Sequence, residues 1–255
     1  ESFYRAYFTP ANTVLAVVGD FSLPELKEKV ARIFGKLPRA ETPSGSIPPA
    51  VSPKDGQDVT LAMDINQAYC VIGLAGPDYN HPDQYAVDLL TEILGRGVNP
   101  MLNSALSRSR VQAEGLSMSY VAHRYGGVIL ITLTLDPRTV QAAQRETLSF
   151  LRKARNLNFS ADEFLGMERL TAFDYLKSAK NQIRFLSEKS QEYGLNLAIS
   201  LARHMILSSG RAGDGYLKSI GRITSSDLRQ AAAKYLDTGK AISVRVIPSA
   251  KGRCP

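Results

Sequence analysis

The chain has 255 residues, 44% of them hydrophobic and 22% charged, with a formal net charge of +7. This length and composition suit one good core or two modest ones and exclude compositional disorder, and two cysteines, Cys70 and Cys254, are too few for a disulfide framework or a thiolate metal cluster. Lys and Arg are spread among the helices without like-charge blocks or interleaved aromatics, so no nucleic-acid partner is expected, and no apolar run reaches the length of a membrane span.

No signal peptide opens the chain. Residues 1–21 instead predict a short amphipathic helix bearing Tyr7 and Phe8, a turn, and a β-branched strand at 14–18. The same order returns in blurred form at 231–248, with Tyr235 and Leu236 ahead of the β-branched run at 242–247. Self-similarity over that distance predicts two copies of one lobe, the first present only as its final strand and helix. Ser22-x-x-Glu25 reads as a capping box for a helix with Leu26, Val30, Ile33 and Phe34 on one face and Gly35 at its end. Periodicity then vanishes and five prolines fall between Lys36 and Gln57, so residues 36–57 are expected to be a mostly extended linker between residues 1–35 and a lobe at 58–255.

Val59, Leu61, Met63 and Ile65 alternate as one face of a strand, and residues 69–75 predict a second, more buried strand that holds Cys70 as an inert thiol. A helix starts near Pro82 with Ala86, Leu89, Leu90 and Ile93 at helical spacing, and Gly95 reads as its left-handed stop. Asn99-Pro100 starts another helix to about Arg110. Strands at 117–122 and 128–135 flank a hairpin turn within His123-Arg124-Tyr125-Gly126-Gly127, and Asp136-Pro137 reads as an N-cap with proline in the first helical position. Beyond the Ser160-x-x-Glu163 box the chain is helical to about Ser208 with a break near Gly194, and Thr224-x-x-Asp227 caps the last helix before the closing strand. Strands that share one sheet, with helices packed over one face, give an α+β fold, a two-layer sandwich with a mainly antiparallel sheet.

The opening run FYRAYFTPANTVLAVVGDF with the helix LPELKEKVARIFGKLP resembles the close of the N-terminal lobe in insulinase/pitrilysin-type zinc metallopeptidases, which include mitochondrial processing peptidases. The run from Leu89 to Gly97 (LLTEILGRG) and residues 102–118 resemble that family's helix, glycine turn, helix and Arg-Gly-Leu-Ala-Tyr strand in the second lobe. The resemblance implies peptide-bond hydrolysis by an inverted His-x-x-Glu-His zinc site, in which imidazoles hold the metal and a carboxylate activates water. This chain holds only His81, His123 and His204, none with a second histidine or a suitably placed glutamate beside it. No catalytic residue and no metal ligand is therefore assigned, and zinc is expected in a missing N-terminal lobe or in a partner subunit.

In the family one lobe also supplies an arginine and, seven residues on, a tyrosine that hold the substrate carbonyl. Aligned on Gly115-Leu116, those roles fall at Val111 and Met118, which can donate no hydrogen bond to an oxyanion. Tyr120 shares a strand face with Met118, whereas Arg108 and Arg110 lie out of step with Val111, so Val111, Met118 and Tyr120 are the candidates for a substrate chamber. Gly95-x-Gly97 follows a helix where a dinucleotide fingerprint needs a strand, Gly73 to Pro77 lacks the Lys-Ser/Thr of a phosphate loop, and no serine has a nucleophile setting.

Two readings follow. The chain is the non-zinc-binding C-terminal lobe of a peptidase subunit, inactive alone, which helps to form a peptide-binding chamber with its own N-terminal lobe and a homologous subunit in a heterodimer. Alternatively it is a catalytically inactive family member that serves as a structural subunit, like the core proteins of respiratory complexes. Alone, the orphan first segment is expected to self-associate. The compartment is not fixed by the residues, and the resemblance points to a bacterial periplasm.

Overall fold

The computed structural model describes residues 1–37, 53–97, 100–156, 172–208 and 215–249. They fall into two units, Glu1–Pro49 with Phe185–Gly213, and Ala50–Arg184 with Asp214–Pro255. The Ser160-x-x-Glu163 box, Asn99 and most of the proline-rich stretch lie outside the described residues.

The second unit is built on alternation. β2 (Ala68–Gly76), β3 (Ala113–His123), β4 (Gly126–Leu135), β1 (Gln57–Met63) and β5 (Ile242–Pro248) form one sheet in the order β1-β5-β2-β4-β3. Every neighbouring pair is antiparallel except β1 with β5, so the strands expected from the sequence do share one mainly antiparallel sheet. Ile129, Ile131, Leu133 and Leu135 of β4 are fully buried, and they pair across with Leu74, Ile72, Cys70 and Ala68 of β2 on the same face. Burying each large aliphatic side chain contributes roughly 1.5–3 kcal/mol relative to leaving it in water, and a one-residue slip would turn the whole set outward.

Helices α3 (Gln84–Thr91), α4 (Met101–Arg108), α5 (Val140–Arg155), α8 (Tyr216–Arg222) and α9 (Ser225–Tyr235) contribute to this same core. So does α6 (Ala172–Gln191), through Leu176, Ala179 and Ile183. Burial therefore concentrates on one side of the sheet, as a two-layer sandwich requires. The α9 capping box is formed, with Asp227 N–H donating to Thr224 Oγ1 at 3.3 Å and Thr224 N–H to Asp227 Oδ2 at 2.7 Å.

Three local expectations are corrected. Gly95 is not a left-handed stop: residues Glu92–Arg96 continue α3 as a π-helical turn, and Gly95 is buried within it. A methyl group added there would overlap Met118 Cβ on β3, so the glycine is required for close approach. Asp136 does not cap α5, whose N-cap is Thr139; its carboxylate instead accepts from Arg138 N–H at 2.8 Å in a local turn that delays the helix by three residues. Ser22 is the N-cap of α2 (Leu23–Phe34), but its hydroxyl makes no capping bond and the box is not closed.

The left-handed position near here is Arg110, at φ +58°, just beyond α4. Val111 N–H donates to Leu106 O at 3.0 Å, the wrapped end that normally recruits glycine. Another tie joins α3 to α9: Asp83 accepts from Lys234 Nζ and from Tyr235 OH, both at 2.8 Å. Burial alone would raise the Asp83 carboxyl, but these two donors and the nearby charges outweigh it and hold it below the usual range.

In the first unit α1 (Ser2–Tyr7) forms as expected, and the helical run breaks between α6 and α7 (Gly194–Leu207). Residues 14–18 form no strand, because no neighbouring edge completes a ladder among the described residues. Thr9 and Ser208 are the buried side chains among this unit's described residues, and no apolar one joins them.

Three outcomes are expected. Gly95→Ala should destabilise the chain by about 1–3 kcal/mol in urea unfolding, and shortening Met118 to Ala should not rescue it, because the overlap is with Cβ. Arg110→Gly should raise stability by about 0.5–1 kcal/mol, through relief of the left-handed strain net of the added chain entropy. Asp83 has a folded pKa below its unfolded value, so its contribution is present above an unfolded pKa of about 3.9 and is lost as pH falls through the folded pKa. The stability gap between wild type and Asp83→Asn should therefore close as pH drops below about 4.

Candidate functional site

The chain enters β3 through the left-handed Arg110, which turns Val111 inward, and Val111 is 4% exposed in the core. Met118, at 0%, lies opposite Ile131 of β4 beneath the π turn. Tyr120 lies opposite Ile129, two residues along and on the same helix-covered face, half-buried. Its hydroxyl donates to Pro77 O at 2.8 Å, and its ring lies under Gly76 and Gly127, where an added methyl would come within 3.0 Å and 2.9 Å of Tyr120 Cε2. Burial raises the Tyr120 phenol far above its ordinary range, with the Asp88 and Asp78 charges adding to the effect, so it stays protonated. The fold thus gathers Met118 and Tyr120 on one face of β3 and leaves Val111 and Met118 to packing.

The histidines do not compose a metal centre. His81 Nδ1 accepts from Asp83 N–H at 3.0 Å at the start of α3, His123 is exposed at the end of β3, and His204 lies on α7 in the other unit. Among the described residues no group of three or more His, Cys, Asp or Glu side chains could share a metal ion. The buried Glu92, 1% exposed, is committed to Arg96, whose Nε donates to Oε2 at 2.7 Å. These donors do not fit zinc. Cys70 is buried, and desolvation pushes its thiol up to about 11, which keeps it protonated and inert.

The sheet has a second face that the sequence reading did not single out. Opposite the buried set, the register places Leu61 of β1 beside Val246 of β5, Val71 of β2 between Val244 of β5 and Thr132 of β4, and Leu130 of β4 beside Ser119 of β3, all on one face. Leu61 is 47% exposed and the others are partly buried or exposed, with no Asp, Glu, Lys or Arg among the paired positions of this face. The signal was present in the alternation of Val59, Leu61 and Met63, an apolar stripe that the parallel pairing with β5 turns away from the core. Such a face offers extended apolar contact and no reactive group. No helix among the described residues is long and apolar enough to cross a membrane.

Comparison with known proteins gives concordant results. Residues 1–169 match the family model described as the Peptidase M16 inactive domain. The zinc protease PqqE of Helicobacter pylori is 21% identical over 252 residues, which cover 97% of this chain and 54% of that protein. The chain therefore spans about half the length of that curated relative. Among solved structures, a protease from Helicobacter pylori superposes with a TM-score of 0.78 at 19% identity, covering 97% of this chain and 58% of that one. The peptidase M16 inactive domain from Pseudomonas fluorescens superposes with a TM-score of 0.73 at 17% identity, covering 91% and 52%. These structural likenesses are of fold, whereas the family model covers well over half of the sequence. The chain belongs to the Peptidase M16 inactive domain family.

Proposed function

We propose that this chain is the non-zinc-binding lobe of an M16-type zinc metallopeptidase, and that the uncharged open face of its sheet forms one wall of the peptide-binding chamber. The observation that carries this reading is the one-sidedness of the sheet, whose helices share a single core while Leu61, Val71, Leu130 and Val246 lie on the other face. A wall of this kind holds an unfolded peptide through apolar contact and supplies no proton or metal. Val111, Met118 and Tyr120 act from behind it, fixing β3 against the helices. Zinc and the general base come from another lobe, either upstream in the same protein or in a homologous subunit.

The first unit supports the need for that lobe. Phe3, Tyr4 and Phe8 are 67%, 62% and 65% exposed, and Leu195 of α7 is 73% exposed. Apolar stripes of this size mark association surfaces, because short helices draw most of their stability from buried faces. The homologous lobe or subunit covers them in the assembled enzyme, and the lone chain self-associates through them.

The test is a peptidase assay on the chain alone and in assembly with a zinc-bearing lobe. The chain alone, loaded with stoichiometric zinc, should not cleave a fluorogenic unstructured peptide. In the assembly, Leu130→Glu should lower kcat/KM by about tenfold or more, with zinc content unchanged, since an unpaired charge replaces an apolar contact with the bound peptide. Chelator-sensitive turnover by the chain alone, or unchanged kcat/KM in the variant assembly, would overturn the proposal.

A further inference from the structure

A groove of about 330 Å³ lies between α6 and α8, within the second unit and on the helical side of the fold. Its floor is apolar, with Leu176 8% exposed, Ile220 2% exposed and Leu217 partly buried. Its cationic lining comes from one stripe of α6: Lys177, Lys180 and Arg184 recur at three and four residues, so they stack along the same helix face. Asn181 is the remaining polar side chain of α6 in the lining, and among the described residues no carboxylate lines the groove.

Among the described residues, one of these cations is occupied internally. Lys180 Nζ donates to Gly221 O at 2.9 Å and to Ile223 O at 2.6 Å, closing the end of α8 and fixing the groove's width. Asp227, whose charge acts on Lys180, already accepts from Thr224 in the α9 cap. Lys177 and Arg184 are exposed and make no ion pair with a described residue. Like charges three and four residues apart on a helix repel, and a counter-charge placed along the stripe relieves that repulsion. The apolar floor makes a bare anion a poor match, since it would leave the accessible apolar surface of the partly buried Leu217 uncovered.

We propose that this groove docks an acidic segment of a partner polypeptide, with carboxylates set along Lys177 and Arg184 and one large apolar side chain on the floor. The occupant joins charge to an apolar anchor, the two features that the groove presents side by side. This surface is separate from the open sheet face, and it tethers a partner without contributing to cleavage.

Because the chain has no tryptophan, a glutamate-rich peptide with a single central tryptophan reports its own binding by fluorescence. Titrated with the full chain at low salt, the peptide should bind, and binding should weaken as salt is raised. The double variant Lys177→Glu with Arg184→Glu should weaken it at least about tenfold. Arg145→Glu with Arg152→Glu on α5, which makes the same change in net charge, should leave it nearly unchanged. A glutamine-rich version of the peptide should fail to bind, and replacing its tryptophan by serine, read by competition, should weaken it. Circular dichroism confirms that both variants keep their helices. Equal loss in the two double variants, equal binding of the glutamine peptide, or binding only to phosphatidylserine vesicles would overturn the proposal. None of these outcomes bears on the peptidase assay, so the two proposals fail independently.

Discussion

The close approach of Gly95 to Met118 is the contact on which the arrangement of the second unit turns. A π-helical turn carries five residues where an α-helix would carry fewer, and its widened backbone can lie against a strand only if the contacting residue has no side chain. That contact seats the end of α3 on β3. Glu92 and Arg96 pair across the same turn, so the only carboxylate buried among the described residues of this unit is neutralised within the element that contains it. With α3 in place, α9 is drawn in through Asp83, Lys234 and Tyr235, and the helical layer closes over Cys70, Ile72 and Ile131.

The sheet was legible because alternation is a strong signal. Ile129 to Leu135 could form only a half-buried strand, and the closing strand at 242–247 announced itself by its β-branched run. Glycine and cap signals were harder to read, because one residue type serves several geometries. Gly95 looks the same in sequence whether it supplies a left-handed backbone or merely the absence of a side chain. The Ser22 and Asp136 patterns are also those of turns that never close a cap bond. The β-branched run at 14–18 carried strand propensity without a partner edge among the described residues, and propensity alone does not make a ladder.

For the candidate site, the sequence named single positions more readily than it named surfaces. Val111 and Met118, singled out in the sequence by resemblance, lie in the core. The open face escaped notice because its residues come from five separate strands and converge only once the register is known. Likewise the groove on α6 is visible in sequence as a stripe of cations, but its apolar floor is supplied partly by α8, which follows far along the chain. Chemistry spread across elements in this way is set by tertiary geometry, and no local pattern encodes it.

The pairing of β1 with β5 also has a consequence for how the chain is made. β1 touches the sheet only through the last strand, so the first strand of the unit must wait for nearly the whole unit to be synthesised before it can be paired. During that interval its Val59, Leu61 and Met63 stripe and both of its hydrogen-bonding edges are unsatisfied. Non-local closure of this kind slows folding and lengthens exposure to aggregation. A nascent chain of this design depends on a holding chaperone, or on rapid docking to a neighbouring lobe, more than its finished fold would suggest.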